Sequence, residues 1–380
     1  MAVSTPITTG YNVQNLRDTQ FPITKDTVYL NHAAVSPLPR RVFDEIQRAN
    51  SILLNNAGNA YDGYLDPLLE VFKETVRSLI KARSASEIVP VVSTSLGLNL
   101  VAQAFPWRQG DTVILADGEF SSNVYPWLNL KERYGVEVRF LRDAPGLTLE
   151  ALAQAADERT RLVAGSLVQF FSGHRTDLQA VGDYCSQHNI VFAVDAMQGA
   201  GHIPIDVQAA HIGILCAGGQ KSLMGPPGQG FLYVRDDLAE QMKPTLVGPN
   251  AVQDYKHWLE YDVTPLPGAE RFTMGTLNFS GIPGLLESIR FLSELGIAHI
   301  DRHTTALADY AIEALRERGY AIVTPKQPEQ HSHIVTFRVT ETEEAATALW
   351  QKLKAHNIFV SKHWNVHRIA HLRLSVHCYN

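Results

Sequence analysis

Two polar residues follow predicted apolar strands at points where a ligand crevice would form. Asp195 comes directly after Ile190–Val194, and Lys221 follows Ile212–Ala217 within the glycine-rich segment 218–230. A carboxylate at the carboxyl end of a parallel strand points into the crevice where such sheets bind ligands. A buried lysine has a lowered pKa and can act as nucleophile and base near neutral pH. Taken singly, the aspartate is more often a turn cap and the lysine a solvated surface group, so it is the pair that indicates chemistry.

A third candidate lies where the chain enters an apolar helix. Thr94 and Ser95 belong to the segment Val92–Gly97, which leads into the helix predicted over Leu98–Phe105. Hydroxyl groups and free N–H groups at a helix N-terminus form an anion site, although a simple N-cap is the alternative. The glycine-rich segment around Lys221 lacks the Gly-Lys-Ser/Thr ending of a P-loop, which disfavours a nucleoside triphosphate as the anion.

The groups around Lys221 match the needs of one cofactor, pyridoxal 5'-phosphate (PLP). PLP requires an amine for a Schiff base, a carboxylate that keeps its pyridine nitrogen protonated, an anion site for its phosphate and a flat group over its ring. The segments VDAMQ (194–198) and GGQKSLMGPPGQGFLYV (218–234) resemble those of fold-type I PLP enzymes of the class V aminotransferase family. The resemblance runs from about Val28 to Asn380. That family includes cysteine desulfurases, selenocysteine lyases, isopenicillin N epimerase-like proteins and C–S lyases.

The resemblance assigns roles to the polar residues of these two segments. Lys221 would form the Schiff base with PLP and remove the substrate α-proton, and Asp195 would pair with the pyridine nitrogen. Gln198 would hydrogen-bond the ring hydroxyl, and Gln169 aligns with a family Asn/Gln near the same group. Gln220 stands where the family often has histidine, so it can donate a hydrogen bond to phosphate but offers no cation.

Three further cofactor contacts follow from the same resemblance. Thr94 and Ser95 fall in the phosphate-binding turn of the family. Phe120 falls where an aromatic residue stacks on the cofactor; desulfurases have a histidine there, and phenylalanine cannot transfer protons, while a core phenylalanine is the alternative. Gly275 and Thr276 resemble the segment that reaches the phosphate of a partner subunit, which implies a homodimer with shared active sites, although a plain turn before the next helix also fits.

Substrate recognition is assigned to residues near the two ends of the chain. Arg373, in a strand predicted over 372–376, would bind the α-carboxylate of an amino-acid substrate, because its planar fork matches a carboxylate with two hydrogen bonds. Asn31 and His32 lie in a segment that resembles the substrate-side N-terminal loop of the family. We therefore expect His32 to line the substrate pocket.

The segment before Arg373 departs from the desulfurase pattern. Cysteine desulfurases carry a mobile cysteine there that takes sulfur from the substrate as a persulfide, whereas residues 360–371 contain none. A persulfide-forming desulfurase is therefore disfavoured. The segment instead carries His363, His367 and His371, whose spacing would suit zinc on one helix face, but without HExxH or a nearby carboxylate we expect no metal site. We expect a loop at the substrate entrance, in which one histidine is a candidate for proton transfer.

The elements that must position these residues follow from the hydrophobic pattern. Short β-rich runs alternate with helical segments from about residue 87, which favours an α/β fold with a mostly parallel sheet covered on both faces. Its seven predicted strands are Ile88–Val92, Thr112–Ala116, Val136–Leu141, Leu162–Val168, Ile190–Val194, Ile212–Ala217 and Gly230–Val234. We expect an N-terminal arm (1–25) that joins the small domain, a large PLP-binding domain (26–280) and a smaller C-terminal α+β domain (281–380).

Composition excludes several classes of partner. The 380 residues carry a net charge of −6, and the scattered basic residues indicate neither a nucleic acid nor an anionic membrane as a partner. No apolar run approaches the ~18 residues of a membrane span, and the N-terminus lacks the pattern of a secretory signal. The three cysteines, Cys185, Cys216 and Cys378, are too widely spaced for a disulfide framework, so we expect a cytoplasmic protein.

The sequence therefore predicts a PLP enzyme that acts at Cα and Cβ of an amino acid. We expect β-elimination from a sulfur amino acid, a C–S lyase activity without a catalytic cysteine. Transamination is the first alternative and epimerisation the second, because the three outcomes share nearly all of these residues. A non-catalytic binding protein of the same fold is least favoured, since Lys221, Asp195, Gln198 and Arg373 are all present.

Overall fold

The computed structural model describes residues 10–142, 144–254, 257, 259–339 and 342–380. Its helices are α1 (Val13–Gln20), α2 (Arg40–Asn56), α3 (Asp66–Ile80), α4 (Thr94–Ala104), α5 (Tyr125–Leu128), α6 (Leu130–Tyr134), α7 (Leu149–Ala155), α8 (Leu178–Gln187), α9 (Asp236–Ala239), α10 (Gly281–Leu295), α11 (Ile297–Glu317) and α12 (Glu343–Ala355). Its strands are β1 (Val28–Tyr29), β2 (Ile88–Val91), β3 (Thr112–Ala116), β4 (Glu137–Leu141), β5 (Thr160–Ser166), β6 (Val191–Asp195), β7 (Ile212–Gly218), β8 (Gly230–Val234), β9 (Ala321–Ile322), β10 (Ile334–Arg338), β11 (Ile358–Phe359), β12 (Ser361–Trp364) and β13 (Ala370–Ser375).

Over the described residues, seven strands form one large sheet in the order β2-β8-β7-β6-β5-β3-β4. The strands from β7 to β4 pair in parallel, whereas β8 runs antiparallel to both of its neighbours. The mostly parallel, seven-stranded sheet predicted from the apolar runs is therefore confirmed. Continuous apolar runs predict such strands well because both faces of the sheet are buried.

The large sheet is covered by helices on both faces. Side chains alternate between the faces of a strand, and accordingly Val113 and Leu115 pack in the core that contains the Val101 side chain of α4. Ile114, between them, packs in the other core, which contains Ile289 of α10. The carboxyl ends of the parallel strands are left for the site.

A second, antiparallel sheet has the order β12-β13-β10-β9 and packs against α11 and α12. The start of the chain contacts the C-terminal part of the chain: among these contacts, β1 pairs in parallel with β11, and Arg17 of α1 donates from Nε to the Tyr379 carbonyl at 2.6 Å. The predicted boundaries at residues 25/26 and 280/281 stay predictions. None of the described helices is long and apolar enough to cross a membrane.

The segment predicted as an entrance loop, residues 360–371, is largely a β-hairpin, so that prediction was wrong. Strand β12 pairs antiparallel with β13, with Ser361 opposite Arg373 and His363 opposite His371. A short turn around His367 joins the two strands. The sequence Ser-Lys-His-Trp of β12 lacks the alternation of apolar and polar residues that marks a half-buried strand, which explains why the strand was missed.

Candidate active site

The adjacent carboxyl ends of β6 and β7 bring Asp195 and Lys221 to the same edge of the large sheet. Asp195 is buried and accepts a hydrogen bond at Oδ1 from the Met197 amide at 2.9 Å. The lysine segment folds back tightly, since Gly219 N donates to Gln229 O at 2.7 Å. A Cβ atom on Gly219 would lie 2.9 Å from that oxygen, so glycine is required there.

Burial and mutual charge set the protonation of this pair. Burial raises the pKa of Asp195 to about 6, while the Met197 amide and the Lys221 charge act in the opposite direction. Burial lowers the pKa of Lys221; Asp195 opposes that shift and Arg373 adds to it. The Lys221 amine is therefore more easily neutral than that of a surface lysine, as a nucleophile and base requires.

The N-terminus of α4 presents a buried hydroxyl beside free helix amides. Ser93 caps the helix by accepting a hydrogen bond at Oγ from Leu96 N at 3.1 Å. Thr94 is buried, and its Oγ1 has no hydrogen-bond partner among the described residues. Ser95 is exposed and its Oγ lies 2.7 Å from Ser122 Oγ. Hydroxyl and amide donors at a helix N-terminus suit a phosphate.

The three glutamines named from the sequence differ in what they offer a ligand. Gln198 donates from Nε2 to Ala33 O at 2.9 Å, which leaves its buried Oε1 without a partner among the described residues. Gln169 accepts at Oε1 from the amides of residues 171 and 172 and donates to the carbonyl of residue 118. Its oxygen is thus already used, and Gln198 fits a ring hydroxyl better. Gln220 is half-buried, and its carbonyl accepts from Ser36 N.

Phe120 presents an exposed ring next to the lysine. Its side chain is 42% exposed, so the alternative of a core phenylalanine is wrong. The ring centroid lies 5.0 Å from Lys221 Nζ and 5.2 Å from the Phe170 ring, which meets it edge to face. Phe120 therefore offers a flat surface directly beside the amine.

Arg373 is a buried cation held by neutral groups. Its Nη1 donates to Phe170 O at 2.6 Å and its Nη2 to Ser361 Oγ at 3.4 Å, and Ser361 in turn donates to Asn31 Oδ1. Its Nε has no hydrogen-bond partner, and no carboxylate lies within ion-pair distance of it, among the described residues. Burial lowers the pKa of Arg373 to about 10. A buried cation without a counter-ion is poised to bind an anion such as a carboxylate.

His32 does not take the position predicted for it. It is 1% exposed, its Nδ1 lies 2.9 Å from Ser36 Oγ, and its ring meets those of His377 and Tyr379 edge to face. The expectation that His32 lines the substrate pocket is therefore not supported. The backbone of the same loop does reach the site, because the Ala33 carbonyl is the acceptor for Gln198.

Gly275 and Thr276 belong to the segment that precedes α10. Thr276 is exposed and lines a surface cavity together with Tyr61, Lys73 and Asn250. Neither Lys221 nor Thr94 lines that cavity.

Glu119 is a site residue that the sequence analysis missed. It is buried in the turn that follows β3, where it accepts hydrogen bonds from Ser166 N at 2.9 Å, from Ser166 Oγ and from Asn123 Nδ2 at 3.4 Å. Burial raises the pKa of Glu119 to about 7, and the nearby charge of Asp195 adds to that effect. The available signal was an acidic residue in the short segment after an apolar strand, which is similar to the signal that drew attention to Asp195.

The residues present fit PLP on the evidence of their unsatisfied polar atoms. Thr94 Oγ1, Gln198 Oε1 and Arg373 Nε are all buried without partners among the described residues, and such atoms cost free energy unless a ligand supplies the missing bond. Together with the Lys221 amine and the exposed Phe120 ring, they could hold a flat anionic cofactor and a carboxylate substrate beside it.

Comparison with known proteins agrees with this fit. The family profile described as "Aminotransferase class-V" matches residues 28–380. A probable cysteine desulfurase of Methanothermobacter thermautotrophicus is 33% identical over 290 residues, which cover 74% of this chain and 70% of the relative. A cysteine desulfurase of Escherichia coli O7:K1 is 32% identical over 321 residues, which cover 80% and 78% of the two chains.

Solved structures extend the likeness to the whole fold. The apo cysteine desulfurase of Thermococcus onnurineus NA1 has a TM-score of 0.88 and 25% identity, covering 98% of this chain and 95% of that one. A C-DES mutant with glycine covalently linked to its PLP cofactor has a TM-score of 0.85 and 21% identity, covering 95% and 94%. The expected fold-type I architecture is confirmed: this chain belongs to the class V aminotransferase family and is a PLP-dependent enzyme.

Proposed function

We propose that the protein is a C–S lyase that cleaves cysteine or a close sulfur analogue by β-elimination, with no protein cysteine taking up the sulfur. The names of the relatives support cysteine as the substrate class. The burial of Cys185, Cys216 and Cys378 supports a reaction without a protein persulfide. Burial raises the pKa of each of these thiols, so none is a ready nucleophile.

The chemistry at Cα is assigned to two residues. PLP, when bound, withdraws electrons from Cα of the substrate. Lys221 would hold the cofactor through Nζ and would take the α-proton of the substrate at the same atom, which its lowered pKa favours. Asp195 would supply the negative charge that keeps the pyridine nitrogen of the cofactor protonated. The sulfur group on Cβ then leaves with the electrons of the Cβ–S bond.

The remaining residues would bind and orient the cofactor and the substrate. Thr94, Ser95 and the amides of α4 would hold the phosphate, Phe120 would stack on the ring, and Gln198 would accept a hydrogen bond from the ring hydroxyl at its unpartnered oxygen. Arg373 binds the α-carboxylate of the substrate. This carboxylate would supply the counter-ion that the buried guanidinium lacks among the described residues.

The proposal includes a homodimer with shared active sites. Its support is the exposed side chain of Thr276, which together with Gly275 matches the family segment that reaches a partner's phosphate. Sedimentation equilibrium should give twice the 42.1 kDa of one chain. Thr276→Ala should weaken PLP binding without changing the unfolding temperature of the apoprotein. A monomer with full PLP affinity would contradict this part.

Two coarser features belong to the same proposal. Residues 26–280 form the PLP-binding domain, and residues 281–380, joined by the N-terminal arm, form the smaller domain, in line with the separation of the two sheets. A reducing cytoplasm suits a chain whose three cysteines are buried and unpaired.

The reaction is tested by incubating the PLP-loaded enzyme with cysteine, with and without a 2-keto acid. We expect pyruvate, ammonia and sulfide in equal amounts, independent of the keto acid, and no sulfur adduct in the intact mass of the protein. Amino transfer to the keto acid without pyruvate would support transamination instead, and formation of D-cysteine alone would support epimerisation. A protein persulfide that disappears in Cys378→Ala would contradict the cysteine-free mechanism.

A further inference from the structure

One face of the β12–β13 hairpin carries polar side chains and packs against Phe170, in the turn after β5. Cross-strand partners project to the same face of a sheet, so His363 and His371, which are paired, share a face with Arg373. The Arg373 guanidinium donates to the Phe170 carbonyl, and the His363 ring meets the Phe170 ring edge to face at 6.1 Å. The Phe170 ring in turn contacts Phe120, which lies beside the lysine. His363 is thus connected to the candidate site through packed rings.

The His363 imidazole is half-buried and has an unused ring nitrogen. Its Nε2 is buried without a hydrogen-bond partner among the described residues. Burial lowers the pKa of His363 to about 4, and the charges of Arg373 and Lys221 add to that effect. His371 is the titratable group beside it on the opposite strand. Burial, with the two cations adding to it, therefore favours neutral His363 in the free protein, and those two cations are the residues assigned to the substrate and the cofactor.

We propose that His363 contacts the sulfur on Cβ of the substrate and donates a proton to it as the C–S bond breaks. This role rests on the proposed lyase function. The electron pair of the C–S bond goes to sulfur, the proton on Nε2 of His363 converts the departing hydrosulfide to hydrogen sulfide, and the α-proton is held on Lys221 Nζ until it is lost to solvent before the next turnover. Water then converts the three-carbon fragment to pyruvate and ammonia, and His363 regains its proton from solvent when the next substrate binds.

Substrate binding itself favours protonation of His363. An α-carboxylate beside Arg373 offsets the positive charge that disfavours protonation of His363. A neighbouring charge within a few ångströms shifts a pKa by roughly 1–3 units, so removal of that repulsion raises the affinity of His363 for a proton. The protonated, acidic form of His363 is then more populated in the substrate complex than in the free enzyme.

The other candidates for this task fit less well. Phe120 occupies the position beside the lysine but has no titratable proton to donate. His371 shares the hairpin face, yet its ring packs on Phe171 and its Nδ1 lies 2.8 Å from the Ile369 carbonyl. His367 is exposed in the turn.

The first test compares two leaving groups in the PLP-loaded enzyme. Sulfide leaves cysteine with the help of a proton, whereas chloride leaves β-chloroalanine without one. His363→Phe keeps the ring contact with Phe170 and should lower kcat/KM for cysteine by about 10²-fold or more, while β-chloroalanine changes by less than about 3-fold. His363→Gln can hydrogen-bond but not protonate, and should be as impaired. His371→Phe, on the same face of the hairpin, is the matched control.

Three kinetic outcomes would overturn the role. An equal loss on both substrates would show that His363 only positions the substrate, and unchanged kinetics would show that it does neither. Recovery in His363→Gln would reduce the role to a hydrogen bond. Absence of pyruvate from cysteine with the wild-type enzyme would contradict the proposed function itself, a result separate from the effect of His363→Phe.

The second test does not depend on turnover. The imidazole of His363 is titrated by NMR in the PLP-loaded enzyme with and without saturating acetate, a simple carboxylate for Arg373. We expect its titration midpoint to rise by about one pH unit or more with acetate. Arg373→Gln should remove the acetate effect. A midpoint that acetate leaves unchanged would overturn the coupling between substrate carboxylate and His363.

Discussion

At the scale of single residues, Asp195 combines a functional advantage with a cost to stability. Its carboxyl is buried and its pKa is raised to about 6, above the ordinary value of 3.8. A carboxyl whose folded pKa is raised lowers the stability of the folded apoprotein as pH rises from the unfolded pKa to the folded one, and the loss persists at higher pH. The cofactor's protonated nitrogen would compensate for that loss.

The substitution Asp195→Asn should therefore have two effects of opposite sign. The free energy of unfolding of the apoprotein near neutral pH should rise by roughly 3 kcal/mol at most, since one pKa unit corresponds to about 1.4 kcal/mol. PLP affinity should fall by at least about 30-fold, because removal of one member of a buried charge pair costs about 2–5 kcal/mol. Urea unfolding and absorbance titration with PLP measure the two quantities.

A matched control for Asp195→Asn is Asp177→Asn at the N-cap of α8, where Asp177 Oδ1 accepts from Ala180 N. It should lower stability by about 1 kcal/mol through loss of charge at the cap and leave PLP affinity unchanged. If Asp195→Asn lowered both stability and PLP affinity, Asp195 would be primarily a structural residue.

At the scale of elements, the N-terminus of α4 makes a sharp prediction for Thr94→Val. Valine has nearly the same shape but no hydroxyl, and the Thr94 hydroxyl has no partner among the described residues. Apoprotein stability should therefore stay within about 1 kcal/mol of wild type or rise. A hydrogen bond to a charged group contributes about 1.5–3 kcal/mol, so PLP affinity should fall by roughly 10- to 100-fold.

Thr94→Ser keeps the hydroxyl and should retain most of the PLP affinity. Equilibrium dialysis with PLP and thermal unfolding of the apoproteins give both readouts for the two variants. A large loss of apoprotein stability in Thr94→Val, with PLP affinity intact, would mean that the hydroxyl serves the fold rather than the phosphate.

The same elements show where sequence reasoning succeeds. Strands of the large sheet are continuous apolar runs buried on both faces, and their ends bring Asp195 and Lys221 together by topology alone. Strand β12 was not predicted because its residues carry no such pattern. The orientation of His32 was not predicted either, because it depends on packing against the C-terminal turn, more than 340 positions away along the chain. Contacts of that range leave no trace in a local pattern.

At the scale of the whole molecule, four buried histidines join segments that are distant in sequence. The His202 ring stacks on His333 at 3.8 Å and meets His377 at 3.9 Å, and His32 meets His377 at 5.2 Å. Burial lowers the pKa of all four, and their mutual repulsion as cations adds to the effect for His32, His202 and His333. This histidine cluster connects the loop after β1, the turn after β6, the small sheet and the C-terminal turn.

The cluster predicts a loss of stability in mild acid. Above the unfolded pKa of about 6.5 the histidines are neutral in both the folded and the unfolded state. Their protonation therefore takes nothing from the stability of the fold at such pH values. As pH falls below that value, the histidines of the unfolded chain bind protons while those of the folded cluster stay neutral. For His377 this difference persists until the pH reaches its folded pKa of about 4. Each histidine then costs up to about 1.4 kcal/mol per pH unit, so the four together cost up to roughly 5 kcal/mol per unit.

Urea unfolding of the PLP-loaded enzyme between about pH 7 and pH 5 measures this slope, and single substitutions apportion it. His202→Gln removes one cluster member while leaving an amide that can donate to the Val376 carbonyl, which His202 Nε2 approaches at 3.2 Å. It should reduce the slope by about one proton, that is by about 1.4 kcal/mol per pH unit. His257→Gln, which replaces an exposed histidine, is the control. A slope unaffected by His202→Gln would mean that the cluster is already protonated in the folded state, against the burial and ring stacking that hold its members neutral.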